Sequence, residues 1–216
     1  MKYNYRTGVD GVAKRSYSQI IVSFVGIIGG AYLLFTALAP AFPNVTAGES
    51  AVVAKKLVQR QPAAAENRLY IPKIGVDVDI VAGVDEKSLE DGAWHRVPEN
   101  GDPISGGNFV LAGHRFNLGM TPQQTRAKSP FYNIHNLQQG DDIYVDYKGV
   151  RYAYKVNTLS KVEDNAMYIE DRTEDSTLTV YSCDLRGPEY GREVVTAKPV
   201  GTIAWLNGEP KLKVIQ

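Results

Sequence analysis

One thiol and three imidazoles are the groups of this 216-residue chain suited to nucleophilic or acid–base chemistry near neutral pH: Cys183, His95, His114 and His135. A lone cysteine forms no internal disulfide and cannot belong to a set of thiolates around zinc. It is either a small buried hydrophobe or a reactive thiol. A reactive thiol needs a base or an imidazolium beside it, because free cysteine has a pKa of about 8.5. It also needs donors for the oxyanion of a tetrahedral intermediate.

Position within the local pattern separates the candidates. His114 follows the short apolar run Asn108–Ala112 and the flexible Gly113, so it is expected at a strand end. Its bland reading is a histidine that satisfies a local carbonyl. Cys183 closes the β-branched and aromatic run Thr177–Ser182 and precedes a loop containing Gly187-Pro188. A strand end facing a loop is a poor place to bury a cysteine. Arg192 opens the following run, Glu193–Ala197, behind Gly191. If the two runs pair antiparallel, Cys183 and Arg192 share one edge of the sheet. A guanidinium there offers fixed donors and stays charged at any working pH. Arg186, on the intervening loop, is the rival; a surface salt bridge is its simpler reading. His95 is a poor substitute for His114.

The elements that must hold these residues read as many short strands. Val76–Ile80 alternates with period two, and Asn108–Ala112 suits a central strand. Ile143–Tyr147 and Val150–Val156 flank Lys148-Gly149, a hairpin signal. Residues 129–139 allow one or two helical turns, with Phe131, Ile134 and Leu137 on one face. This pattern predicts an all-β domain over 68–203, a closed barrel of about eight strands with short helices.

Before that domain, Ile20–Ala39 carries no charge, and twenty helical residues span about 30 Å, the hydrocarbon thickness of a bilayer. A cleaved signal peptide is the rival, but its apolar region is usually shorter, and Pro40 would follow the cut. The reading is an uncleaved anchor over 18–42. Lys14 and Arg15 lie close before it, and the next basic residue after it is Lys55. That bias puts residues 1–17 in the cytoplasm and everything after Ala41 outside. Residues 43–67, rich in Ala, Pro and Gln, read as a stalk, partly helical between Glu49 and Gln61. Residues 204–216 read as a tail too short and polar for a second span.

Composition removes other classes. The 24 Lys+Arg balance 24 Asp+Glu, without the basic excess typical of nucleic-acid binding. No GxxxxGK[ST] or GxGxxG loop marks a nucleotide site. The acidic cluster Glu163, Asp164, Glu170 and Asp171 reads as a solvated loop. No metal and no cofactor is expected.

These residues resemble the sortase family. Its TLxTC strand end is matched by Thr179-Val180-Tyr181-Ser182-Cys183, with Val for Leu and Ser for Thr. Its GNxVxAGH segment is similar to Gly107–His114, and its arginine strand to Arg192–Ala197. Leu69–Val76 looks like its first strand, and the resemblance runs over about residues 68–200. It implies a membrane-anchored cysteine transpeptidase acting on an LPxTG-like sorting signal of exported proteins. Cys183 would form a thioacyl-enzyme, His114 would move the proton, and Arg192 would hold the oxyanion. The acceptor would be an amine of a cell-wall precursor or a pilin-like subunit. The lid motif of pilin-building relatives is not matched by Asp102-Pro103-Ile104. A non-catalytic, membrane-tethered binding barrel is the alternative. A transpeptidase of peptidoglycan stem peptides is disfavoured, because those place histidine and cysteine close together, not 69 positions apart (114 to 183).

Overall fold

The computed structural model describes residues 17–42, 60–206 and 209–214. The chain divides into two units, 1–35 and 36–216. The expected helical stalk between Glu49 and Gln61 lies almost wholly outside the described residues, as do residues 1–16.

The first unit is built on helix α1 (Tyr17–Leu38). Gln19–Ala41 is long and apolar enough to cross a membrane, judged by length and composition. Ile21, Phe24, Val25, Ile28 and Leu34 are all exposed. A helix apolar all round with its side chains uncovered is unlike the amphipathic helix of a soluble core.

Among the described residues, the second unit contains ten strands: β1 (Arg68–Ile71), β2 (Val76–Ala82), β3 (Ala93–His95), β4 (Gly101–Asp102), β5 (Gly106–Ala112), β6 (Asp142–Tyr147), β7 (Val150–Val162), β8 (Thr177–Asp184), β9 (Gly187–Leu206) and β10 (Glu209–Val214). Eight of them close a ring in the order β1-β2-β3-β5-β8-β9-β7-β6 and back to β1. The expected barrel of about eight strands is therefore present. The pairs β2/β3 and β5/β8 are parallel, and the other ring pairs are antiparallel. Closure leaves the ring strands without a free edge. Strands β4 and β10 sit outside it, on β5 and β9. Residues 204–206, expected in the tail, continue β9, and β10 pairs back onto it.

Alternation sorts the side chains into two apolar layers. Leu69, Ile71, Phe109, Leu111, Leu178, Val180, Val195 and Ala197 fill the barrel interior with their neighbours. Val110, Ala112, Tyr181 and Val194 form a second cluster, against which Leu89, Val162 and Ile169 pack. Strand β5 is thus buried on both faces, which explains its unbroken apolar run. The β6–β7 hairpin turns at Lys148 and Gly149, with φ of 49° and 82°, the positive values a two-residue type I′ turn requires.

Two details differ from expectation. The segment 129–139 forms one short turn, Ile134–Asn136, with Phe131, Ile134 and Leu137 buried as anticipated. A helix that the strand pattern did not reveal, α2 (Pro122–Lys128), follows the loop after His114. The Thr121 hydroxyl caps it by accepting from Gln124 N at 3.2 Å, and Pro122 opens its first turn.

Candidate active site

Strands β8 and β9 place the thiol. Cys183 and Arg192 are direct partners in the antiparallel pairing, so their side chains leave the same face of the sheet. Arg192 is also the partner of Val162 on β7. Cys183 is partly exposed, and the pairing shifts register just beyond it, between Cys183 and Asp184. Gly191 explains how Arg192 reaches this row. Its φ is 100°, and a Cβ there would lie 2.2 Å from the Val162 carbonyl oxygen. Only glycine lets the chain pass so close.

Strand β5 runs parallel to β8, with Ala112 opposite Tyr181. Gly113 N donates to Tyr181 O at 3.2 Å, so the pairing continues past the strand's end. His114 and Cys183 each lie two residues beyond the Ala112–Tyr181 pair, at the same end of the two strands. Gly113 serves this site through close contact rather than through a special turn. A Cβ on it would meet the Phe131 ring at 2.5 Å.

Sequence reasoning missed Glu90, the last residue of the turn Glu86–Glu90. His114 Nε2 donates to Glu90 Oε1 at 3.3 Å. Asn117 Nδ2 and Lys128 Nζ donate to the same carboxylate at 2.7 and 2.8 Å. Lys128 first, and His114 after it, hold this carboxyl below its ordinary range despite some desolvation. Helix α2 therefore reaches the site through Lys128. Its legible signal was Thr121-x-x-Gln124 with Pro122, a helix-start pattern.

The remaining candidates fall elsewhere. Arg186 ion-pairs with Asp184, Nε to Oδ1 at 3.0 Å, and stacks over the Tyr190 ring. Arg192 keeps a different set of partners, the carbonyls of Pro188 and Gly191 at 2.9 and 3.2 Å. His95 is buried, donates from Nε2 to Gly101 O at 3.0 Å, and stands edge-on to Phe109. Burial pushes its imidazole below the ordinary value. His135 Nδ1 accepts from Arg115 Nη2 at 3.0 Å.

The β7–β8 connection walls the site, and here the structure corrects the reading of its acids. Glu170 is not solvated; it is buried, accepting from Arg96 Nε at 2.9 Å and from the Tyr181 hydroxyl. Asn108 Nδ2 donates to the carbonyls of Ile169 and Asp171, each at 2.9 Å, and Asn100 Nδ2 to Glu170 O at 2.7 Å. These bonds hold Ile169 against the outer apolar cluster. Among the described residues, no group of three or more His, Cys, Asp or Glu is gathered as for a metal ion. An open groove of about 510 Å³ is lined by Val162, Tyr168, Arg186, Tyr190, Gly191 and their neighbours, but not by Arg192 itself. Cys183 and His114 are not part of its lining.

Barrel, strand-end thiol and paired guanidinium together define a class of thiol-bearing barrel proteins. The Sortase domain family model matches residues 69–200, and the chain belongs to the sortase family. It is 30% identical over 138 residues to sortase A of Bacillus anthracis, covering 63% of this chain and 60% of that protein. It is 28% identical over 179 residues to sortase SrtE1 of Streptomyces coelicolor, covering 73% and 46%. The chain thus spans 60% and 46% of the lengths of these two relatives. A solved sortase D5 transpeptidase of Clostridium perfringens superposes with a TM-score of 0.53 at 25% identity, covering 73% of this chain and 91% of that one.

Proposed function

We propose that this chain is a membrane-anchored cysteine transpeptidase in which Cys183 is the nucleophile, His114 the proton carrier and Arg192 the oxyanion donor. The observation that carries the reading is the pairing of Cys183 with Arg192 beside the strand that leads to His114. The Cys183 sulfur, as thiolate, attacks the carbonyl carbon of the scissile amide. The negative charge moves to the carbonyl oxygen, where Arg192 donates to it. The C–N bond breaks, and the departing amine takes the proton held on His114. The product is a thioester on Cys183. An incoming amine loses its proton to His114, attacks the thioester and releases the thiolate. The His114–Glu90 bond occupies Nε2 and leaves Nδ1 as the nitrogen that exchanges the proton.

The substrates of this reading are exported proteins with an LPxTG-like C-terminal signal, and the acceptor is an amine of the cell wall or of a pilin-like subunit. The charge bias around α1 favours a cytoplasmic N-terminus, with the helix anchored in the cell membrane and the barrel outside the cell. Membership of the sortase family and the similarity to the Clostridium perfringens sortase D5 transpeptidase support the reaction class. Cleavage of a quenched-fluorescence sorting-signal peptide by the detergent-solubilised full chain tests it. The reading requires Cys183→Ala to abolish cleavage with the thermal melt preserved; cleavage that survives this change refutes it.

A further inference from the structure

His114, Cys183 and Arg192 are each followed by a charged residue: Arg115, Asp184 and Glu193. All three successors are buried, with 5%, 5% and 6% of their surface exposed. Burying one charge is costly unless it is paired; three in one place imply a built arrangement. They are joined. Arg115 Nη1 donates to Glu193 Oε2. Lys161 Nζ bridges the two acids, reaching Glu193 Oε1 at 3.0 Å and Asp184 Oδ2 at 3.3 Å. Arg186 also binds Asp184, Nε to Oδ1 at 3.0 Å.

The strand register explains why. Val162, Arg192 and Cys183 form one row across β7, β9 and β8, and Lys161, Glu193 and Ser182 form the adjacent row. Successive side chains on a strand point to opposite faces. Glu193 therefore continues the inward face of Val195 and Ala197, behind the sheet from Arg192.

Resting on the functional reading above, we propose that Arg115, Glu193 and Lys161 form a positioning network that fixes His114, Cys183 and Arg192 relative to one another from behind the sheet. Arg115 ties the chain carrying His114 to β9, and Lys161 ties β9 to the end of β8. Stability alone does not account for Arg115. Its Nε is buried without a hydrogen-bond partner among the described residues, and apolar residues of similar volume often replace buried ion pairs without loss. A buried side chain with an unmet donor at this place suits a geometric role.

The test uses the detergent-solubilised full chain and two readouts. The first is the pH–rate profile for alkylation of Cys183, the one thiol in the sequence, by iodoacetamide. The second is kcat and KM for sorting-signal peptide cleavage. Lys161→Met is the first variant, because Lys161 is 67% exposed and its loss leaves the core intact. Arg115→Met and Arg115→Lys follow. The proposal expects both Met variants to move the alkylation profile and to lower kcat roughly ten- to a hundredfold at nearly constant KM. It expects Arg115→Lys to recover part of the loss, and the Lys161→Met/Arg115→Met pair to be less than additive. An unchanged alkylation profile in folded Lys161→Met and Arg115→Met proteins overturns the network. The alkylation readout stands even if no peptide is cleaved, so failure of the network and failure of the transpeptidase reading give different results.

Discussion

Arg192 lies directly across the β8–β9 pairing from Cys183, whereas Arg186, nearer in sequence, is drawn away onto Asp184. Chain proximity and spatial role are therefore opposed at this site. The consequence is a clear asymmetry between the two arginines. Arg192→Ala is expected to lower kcat by about 10²–10³, the usual effect of losing one oxyanion donor. Arg192→Lys recovers little, since a point charge replaces a planar fork. Arg186→Ala changes kcat by less than about threefold, because its ion pair is with Asp184 alone, which keeps Lys161, and it does not reach Glu193. Steady-state kinetics on the three variants decides, and equal losses at both arginines contradict the assignment.

Glu90 accepts from His114 Nε2 at 3.3 Å, and on the proposed reading this bond orients the imidazole. Glu90→Ala is expected to reduce kcat about tenfold while leaving KM within about twofold. If His114 carries the proton as proposed, His114→Ala costs at least about 10²-fold. The comparison is made on initial rates of peptide cleavage, with thermal melts as the control for folding.

Glu170 fastens the β7–β8 connection to the barrel through Arg96 and Tyr181. Loss of this anchor frees the segment that carries Ile169 over the outer apolar cluster. Glu170→Ala is expected to raise KM roughly tenfold, equivalent to about 1.4 kcal/mol of binding, with a much smaller change in kcat. Limited proteolysis should show faster cleavage within residues 163–176. A variant that loses kcat at constant KM would place Glu170 in the chemistry instead.

His95 is a structural histidine, and its protonation should register in stability rather than in catalysis. Burial lowers its folded-state pKa, with the Gly101 carbonyl, Asp102 and Glu99 opposing that shift. The folded protein thus holds it neutral, while the unfolded chain takes up a proton below about pH 6.5. Its contribution is complete above that pH and is lost as the pH falls toward the depressed folded value. Thermal melts between pH 8 and pH 5 should therefore decline less steeply for His95→Gln than for the parent. Peptide cleavage by His95→Gln should persist at pH 7.5.

Much of this was readable from residue order, for identifiable reasons. Strand β5 announces itself because both its faces are apolar, and the β6–β7 hairpin because Lys148-Gly149 accepts positive φ. Cys183 and Arg192 could be paired because an antiparallel connection brings its two ends together. Other features depend on distant partners. Glu90 lies 24 positions before His114, and its role arises from the fold alone. Glu170 sits in an acidic stretch whose composition suggests solvent, yet Arg96, 74 positions away, buries it. Gly113 reads as a hinge until Phe131 is seen to occupy the space of its missing side chain. The ion network behind the sheet escaped for the same reason: Arg115 and Glu193 are separated by 78 positions.

Intact-mass spectrometry of the full chain with a library of LPxTG-like peptides, in the absence of an amine acceptor, tests the central assignment most directly. The account predicts an added mass equal to the peptide's acyl fragment, located on Cys183, released by hydroxylamine and absent in Cys183→Ala. A folded protein whose Cys183 reacts with iodoacetamide yet acylates with no peptide in the library would contradict it.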